Sequence, residues 1–123
     1  MRWGKSKYGN RKVKYRGEWF DSQHELDRYL ELLLLERAGE ITDLRRQVKY
    51  PLIPAQREPD TIGPRGGVHK GALIEQECYY KADFVYVQNG REIVEDAKGY
   101  RTDDYVIKRK LMLWVHGIRI HEV

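Results

Sequence analysis

The spacing of hydrophobic residues changes along this chain, and it first predicts a helix over residues 22–38. Three leucines recur every three or four positions and would share one helical face: Leu26, Leu30 and Leu33. Ser22 and Glu25 are typical of a capping box, in which the glutamate carboxylate accepts a hydrogen bond from the backbone N–H of Ser22. Gly39 then lies where a helix commonly ends.

Downstream, the pattern alternates with a period of two, which predicts strands. One strand is expected over residues 41–53 and a second over residues 73–87. Between them, residues 54–72 are rich in proline and glycine, which predicts a long loop. Asn89-Gly90 is a strong hairpin signal, so we expect a returning strand over residues 91–98, antiparallel to the strand before it.

After Gly99 the hydrophobic spacing becomes helical again. Thr102 is suited to capping a second helix that runs to about His116. Three apolar residues are predicted to form its buried stripe: Ile107, Leu111 and Trp114. Gly117 ends the helix, and residues 118–123 predict a last short strand. The order helix, three strands, helix, strand predicts an α/β fold in which helices flank a mixed sheet.

Length and composition suit a single domain. The chain has 123 residues, and 41% of them are hydrophobic, which is enough for a packed core and too many for a disordered chain. Purely apolar runs such as Leu32 to Leu35 are far too short to span a membrane, and no signal peptide is recognised. Cys78 is the only cysteine, so no internal disulfide and no cysteine zinc cluster is expected. We expect a cytoplasmic protein without membrane contact.

The net charge of +4 is unevenly distributed. Residues 1–17 carry +7 and contain no acid, which leaves −3 for the domain that we place at residues 18–123. Such an arm can hold a nucleic-acid backbone by releasing counterions, and its aromatic residues can stack on bases. A solvated tail explains the same composition. The candidate DNA contacts in this arm are Lys5, Lys7, Arg11, Lys12, Lys14 and Arg16.

The hairpin around Asn89-Gly90 brings three candidate functional residues together. Positions equidistant from the turn face each other, so we expect Asp83 opposite Asp96, with both side chains on one face of the sheet. Lys98, two residues further on, shares that face. Opposed carboxylates destabilise a sheet unless a cation lies between them, and oxygen ligands suit Mg²⁺ or Mn²⁺. Because a lysine beside a metal ion can orient water or stabilise charge at a phosphate, this group predicts phosphodiester hydrolysis.

Two alternatives stay open for these acids. In a regular strand Glu95 points away from the face that Asp96 occupies, but a β-bulge would exchange their roles. A surface ladder in which Asp96 pairs with Lys98 or Lys81 would account for the same residues without any chemistry.

These motifs resemble the PD-(D/E)XK nuclease superfamily. Ala82-Asp83 resembles the PD motif, with alanine in place of proline, and Asp96-Ala97-Lys98 resembles the (D/E)XK motif. The predicted element order is similar to the restriction-endonuclease-like αβββαβ core of that superfamily. Three further segments are similar to small phage-encoded members: Lys7-Tyr8-Gly9-Asn10, Phe20-Asp21-Ser22 and Glu95-Asp96-Ala97-Lys98-Gly99. The resemblance therefore implies a phage or prophage protein in a bacterial host.

The resemblance also implies further site residues. Glu25 occupies the place of a helical acid that joins the metal site, although capping alone explains it as well. The backbone carbonyl of Ala97 would be another metal ligand. Tyr105 and Lys108 would face the cleft and touch DNA phosphate, with plain solvent exposure as the alternative. Gln47 lies on the first strand and could also face the site, but the uneven alternation of that strand leaves its direction open.

Together these features predict a Mg²⁺-dependent, or Mn²⁺-dependent, DNA endonuclease. Asp83 and Asp96 would hold the metal ion together with Glu25, and Lys98 would orient the attacking water. The arm and the loop would hold the DNA backbone. Similarity to compact phage nucleases favours branched DNA such as a Holliday junction, and coordinated cutting of two strands implies a homodimer. The alternatives are a nuclease for ends, flaps or single strands, and a DNA-binding accessory protein without catalysis.

Overall fold

Two helices and ten strands make up the part of the chain that the computed structural model describes, residues 11–98 and 100–123. In chain order they are β1 (Val13–Tyr15), β2 (Glu18–Phe20), α1 (Gln23–Arg37), β3 (Thr42–Ile53), β4 (Gln56–Arg57), β5 (Thr61–Ile62), β6 (Val68–His69), β7 (Leu73–Glu75), β8 (Cys78–Gln88), β9 (Arg91–Asp96), α2 (Asp103–His116) and β10 (His121–Glu122).

The largest sheet has four strands in the order β10, β9, β8, β3. β3, β8 and β9 pair in antiparallel fashion, and β10 joins β9 in parallel. A parallel neighbour is reached only through a crossover, which α2 provides here. The α/β class and the mixed sheet predicted from the sequence are therefore confirmed.

The two helices pack on opposite faces of this sheet. The face under α2 holds a cluster of buried residues that includes Val85, Val94 and Met112. The face under α1 holds Leu32 and Phe84, together with Ile41 and Tyr86. Consecutive residues of β8 thus enter different cores, as the period of two in a strand requires. Neither helix in the described ranges is long and apolar enough to cross a membrane.

α1 covers the predicted residues, but its buried leucines differ from the predicted ones. Leu26 and Leu32 are buried, whereas Leu30 and Leu33 are only half-buried. Consecutive helical residues point about 100° apart, so the four leucines of the run 32–35 surround the helix and their spacing does not select one face.

α2 is also rotated from its predicted orientation. Tyr105 and Met112 are its buried residues, while Ile107 is 58% exposed and Trp114 is 83% exposed. Leu111 packs partly against the core. The predicted buried stripe is therefore wrong at Ile107 and Trp114. The helix carries two apolar stripes, and the one that contains Tyr105 faces the sheet, where the tyrosine hydroxyl finds a hydrogen-bond acceptor.

The described end of the basic N-terminal segment, residues 11–17, is folded. Its last residues form the hairpin of β1 and β2, with Arg16 and Gly17 at φ angles of 49° and 83° in the turn. Positive φ at both central residues is typical of a tight hairpin turn. The domain boundary expected after residue 17 falls within this hairpin.

The segment expected to be a loop, residues 54–72, contains a β-ribbon. β4 pairs with β7 and β5 pairs with β6, both antiparallel. They lie in sequence beyond the Ile53–Cys78 pair that ends the β3–β8 ladder, so the chain continues one long hairpin to a turn at residues 63–67. Every residue of these four short strands is exposed. Cross-strand hydrogen bonds, which proline and glycine content does not reveal, hold the ribbon together.

Candidate active site

The β8–β9 hairpin places Asp83 and Asp96 side by side. The ladder pairs Phe84 with Glu95, and the same register continued by one residue brings Asp83 to Asp96. The regular ladder ends at the Phe84–Glu95 pair, and Asp83 Oδ2 instead accepts a hydrogen bond from the backbone N–H of Ala97 (2.9 Å). The juxtaposition expected from the Asn-Gly turn is therefore present in the structure.

Asp96 is a buried acid whose charge and hydrogen-bonding capacity are only partly satisfied. It is 1% exposed, and the Tyr80 hydroxyl donates to its Oδ2. Its Oδ1 lies 3.5 Å from Lys98 Nζ but accepts no hydrogen bond from the described residues. Burial, and then the negative charge of Asp83, raise the pKa of Asp96 to about 7. The site therefore has fewer positive charges and donors than its carboxylates require.

Glu25 is connected to the acid pair through Gln47. The side-chain amide of Gln47 lies 3.2 Å from Glu25 Oε1 and 3.4 Å from Asp83 Oδ1, and it donates to both. Burial and the charge of Asp83 raise the pKa of Glu25. Gln47 has a φ of 55°, which is uncommon for a residue with a side chain and is concentrated at functional sites. This left-handed residue breaks the alternation of β3, which is why the sequence left its direction open.

Glu25 also caps α1, though not by the predicted contact. Ser22 Oγ accepts a hydrogen bond from Glu25 N (3.1 Å), as expected for an N-cap. The returning bond comes from Asp21 N to Glu25 Oε2 (2.9 Å), not from Ser22 N. Arg46 Nη2 lies 3.4 Å from the other oxygen, Oε1. One carboxylate oxygen thus serves the helix terminus, and the other faces Gln47 and the acid pair.

Lys98 shares the α2 face with Asp96. Its Nζ lies 4.6 Å from the centre of the Tyr105 ring, in addition to its 3.5 Å contact with Asp96. Tyr105 is 4% exposed and donates its hydroxyl to Glu122 (2.6 Å). The phosphate contact expected from Tyr105 does not fit this arrangement, because the hydroxyl is occupied and the ring supports Lys98. Lys108, its neighbour one turn along α2, lines an open cleft.

Glu95 points to the opposite face of the sheet. Arg28 binds it through two parallel contacts, Nε to Oε1 (2.8 Å) and Nη2 to Oε2 (2.7 Å). The Tyr86 hydroxyl also donates to Oε2. β9 is regular here, so of the two consecutive acids only Asp96 faces Asp83. Asp96 does pair with Lys98, but its burial excludes the solvent-exposed ladder that was the other alternative.

The predicted DNA contacts of the arm are accessible where they are described. Arg11, Lys12, Lys14 and Arg16 are exposed, and Lys5 and Lys7 lie outside the described residues. Lys14 Nζ lies 5.5 Å from the centre of the Trp19 ring. Cations and aromatic rings therefore share the surface of the first hairpin.

The acid pair fits a hard divalent cation, although it is not a complete ligand set. Among residues 11–98 and 100–123, no three His, Cys, Asp or Glu side chains form a group that could hold a metal ion. Asp83 and Asp96 nevertheless supply oxygen atoms, and Oδ1 of Asp96, which Lys98 Nζ approaches to 3.5 Å, accepts no hydrogen bond from the described residues. Mg²⁺ keeps several of its water ligands and needs only one or two carboxylates.

Comparison with other proteins identifies the family of this chain but not its function. No curated protein matches it, and no solved structure matches it. The family model described as protein of unknown function, DUF1064, matches residues 5–118. Because this match covers nearly the whole sequence, the chain belongs to the DUF1064 family.

Proposed function

We propose that this protein is a metal-dependent DNA endonuclease with a restriction-endonuclease-like core. The observation that carries the proposal is the Asp83–Asp96 pair, in which Asp96 is buried and Asp83 is half-buried. Asp96 Oδ1 accepts no hydrogen bond from the described residues, and Lys98 Nζ lies 3.5 Å from it. Burying two acids together costs stability, and ionisable groups with displaced pKa values concentrate at functional sites. Among the described residues, Lys98 is the cation beside the pair, and at 3.5 Å from Asp96 Oδ1 it balances only one of the two negative charges.

The protein's own groups suggest separate roles in phosphodiester hydrolysis. Asp83 and Asp96 would hold Mg²⁺ or Mn²⁺, with the Ala97 carbonyl as a further ligand. A bound divalent ion supplies charge that stabilises a phosphate transition state and lowers the pKa of water. Tyr80 orients Asp96 through its hydroxyl. The ammonium of Lys98 would orient the attacking water or stabilise charge that forms on the phosphate oxygens.

Glu25 has a more distant role in this scheme. Its contact with Asp83 runs through the amide of Gln47, so it would influence the ion by orienting Asp83. Direct ligation by Glu25 would require the Gln47 amide to move away. We therefore propose Glu25 and Gln47 as positioning residues for Asp83.

Branched DNA is the substrate that we propose, with a homodimer as the active form. The exposed cations of the first hairpin support contact with a phosphate backbone. One domain of this size holds one acid pair, so coordinated cutting of two strands would need two copies. The exposed apolar side chains of α2, Ile107 and Trp114, offer a surface for the second copy.

A cleavage assay tests this proposal. A labelled four-way junction, a flap and a linear duplex of matched sequence are incubated with the protein in Mg²⁺, Mn²⁺ or EDTA. We expect cleavage only with a metal ion, fastest on the junction, and no cleavage by Asp83→Ala or Asp96→Ala although both still bind DNA. Asp27→Ala, which removes an exposed acid of α1, is the matched control.

The other outcomes discriminate between the alternatives. Equal cutting of junction and linear duplex would remove the preference for branched DNA, and faster cutting of the flap would favour end processing. Binding without metal-dependent cleavage by the unaltered protein would identify a DNA-binding accessory protein. Normal cleavage by both acid variants would show that the active site lies elsewhere.

A further inference from the structure

The face of the sheet opposite α2 is uncovered along part of β3 and β8. Val48 and Tyr80 pack in the core under α2. Their neighbours in the two strands therefore point to the other side: Lys49, Tyr79 and Lys81. Lys49 Nζ lies 4.4 Å from the centre of the Tyr79 ring, which agrees with this placement. All three residues are exposed, so α1 does not extend over them, and we call them the open face.

Two cations oppose each other on the open face. Lys49 and Lys81 are direct partners in the antiparallel β3–β8 ladder, so their side chains leave the sheet next to each other. Like charges in this position repel and destabilise the strand pair. Neither ammonium forms an ion pair with an acid of the described residues. The two lysines therefore form a place that an anion would stabilise.

The ring of Tyr79 holds one of these cations in position. A cation is attracted to the face of an aromatic ring, so Tyr79 favours a conformation in which the Lys49 ammonium lies over the sheet. Lys81 projects from the same side. Two neighbouring ammonium groups suit a phosphate group, which lysine binds through its charge.

The open face borders the acid pair. Lys81 precedes Asp83 by two residues in β8, about 7 Å along the strand. The oxygens of Asp83 accept hydrogen bonds from Gln47 and Ala97. Gln47 also binds Glu25 of α1, so Asp83 is connected to the side of the sheet that carries Lys81. At a rise of about 3.4 Å per nucleotide, the two places are about two nucleotides apart, and one DNA strand can reach both.

We propose that Lys49 and Lys81 together bind one DNA phosphate, about two nucleotides from the phosphate that is cut. The inference rests on the proposed nuclease function, and it gives the substrate a path from the acid pair across the open face. A phosphate contact positions the DNA and carries no base preference. The site is therefore expected to act on DNA of any sequence.

The salt dependence of binding counts phosphate contacts. In EDTA, the affinity of the full chain for a labelled duplex is measured by fluorescence anisotropy between about 50 and 200 mM salt. Each phosphate contact contributes about 0.9 to the slope of log K against log salt concentration. Because the two lysines share one phosphate, Lys49→Gln combined with Lys81→Gln should reduce the slope by about 0.9 per bound protein and weaken binding about tenfold at 50 mM salt.

Two controls separate this site from general charge and from folding. Lys110→Gln removes an exposed lysine of α2, on the other side of the sheet, and should leave the slope unchanged. Each single variant of the open face should have a melting temperature at least as high as that of the unaltered protein, because it relieves the repulsion between the two lysines. A lower melting temperature would show that the lysines serve the fold, and would contradict the proposal.

The outcome is independent of cleavage, because no metal ion is present. An unchanged slope in the double variant, or an equal reduction in Lys110→Gln, would overturn the phosphate site even if the protein proves to be a nuclease. A reduction confined to the open face would support the site even if no DNA is cut.

Discussion

Glu95 and Asp96 are consecutive acids at the end of β9, both are buried, and they lie on opposite faces of the sheet in very different surroundings. Arg28 binds both oxygens of Glu95, and Tyr86 adds a further donor. Asp96 has the Tyr80 hydroxyl on one oxygen and only a 3.5 Å contact with Lys98 at the other. On the α1 face, the charge and the hydrogen bonds of Glu95 are therefore satisfied. On the α2 face, those of Asp96 are satisfied only in part.

This difference separates a structural carboxylate from a functional one. A buried acid that serves only the fold is expected to have its charge paired and its hydrogen bonds satisfied. Asp96 departs from that expectation, and Asp83 adds a second negative charge next to it. Glu95 and Asp96 share the same strand and the same degree of burial. Comparing them therefore shows more clearly than either acid alone that the incomplete pairing of Asp96 is unusual.

The largest expected effect is on cleavage. Asp96→Asn should lower the rate of Mg²⁺-dependent cleavage roughly 1000-fold, because a metal ion supplies several kcal/mol of transition-state stabilisation and each 1.36 kcal/mol corresponds to about a tenfold change in rate. Glu95→Gln should lower it by about tenfold at most, because Glu95 faces away from the site. Single-turnover cleavage of the preferred substrate measures both. An equal loss of cleavage rate in Asp96→Asn and Glu95→Gln would contradict the assignment of Asp96 to the active site and of Glu95 to the opposite face.

The pH dependence of stability should follow from the raised pKa of Asp96. Between an ordinary aspartate pKa of about 4 and the folded value of about 7, the folded protein holds a proton that the unfolded chain releases. The free energy of unfolding should therefore fall as pH rises through this interval, by up to about 4 kcal/mol, and level off above it.

Urea unfolding across this pH interval, without divalent ions, checks the sign and size of the change. Asp96→Asn should remove most of the decline. The smaller decline that remains is assigned to Glu25, whose pKa is also raised. Glu95→Gln serves as the control on the opposite face. A stability that rises with pH over this interval in the unaltered protein would contradict the assignment.

On the α1 face, the strongest test is removal of Arg28. Arg28→Leu should lower the free energy of unfolding by about 3 kcal/mol, because it leaves Glu95 buried without a partner. Replacing both members, Arg28→Leu with Glu95→Leu, should recover most of that loss. Thermal and urea denaturation measure these changes, with Arg37→Leu at the exposed end of α1 as the control. A loss in the double variant as large as in the single one would show that the pair has no special role.

The smallest expected effect is stabilisation by the metal ion. At a free Mg²⁺ concentration about ten times Kd, the folded protein should gain about 1.4 kcal/mol. Asp96→Asn should show no gain, and Glu95→Gln should show the full gain. Calorimetric unfolding with and without Mg²⁺ measures the difference. If Asp96→Asn gains as much as the unaltered protein, the ion binds elsewhere.

Sequence reasoning located the acid pair but missed the Arg28–Glu95 pair on the opposite face of the sheet. Asp83, Asp96 and Lys98 could be placed relative to one another because they are tied to the Asn89-Gly90 turn by a few residues of strand. No such local rule connects Arg28 to Glu95 across 67 positions of the chain. Conversely, the exposed stripe of α2 was predicted to be buried, because hydrophobicity identifies an apolar stripe without identifying what covers it.

By itself, the sequence determined what short-range geometry controls: the hairpin register and the cap of α1 at Ser22. These follow from the two-residue period of a strand and the backbone preferences of a turn or cap. Only the tertiary structure decided which stripe of each helix meets the sheet and that Gln47 joins Glu25 to Asp83. Those outcomes depend on packing and hydrogen bonding between residues distant in the chain, where several arrangements satisfy the local pattern and only the assembled core selects one.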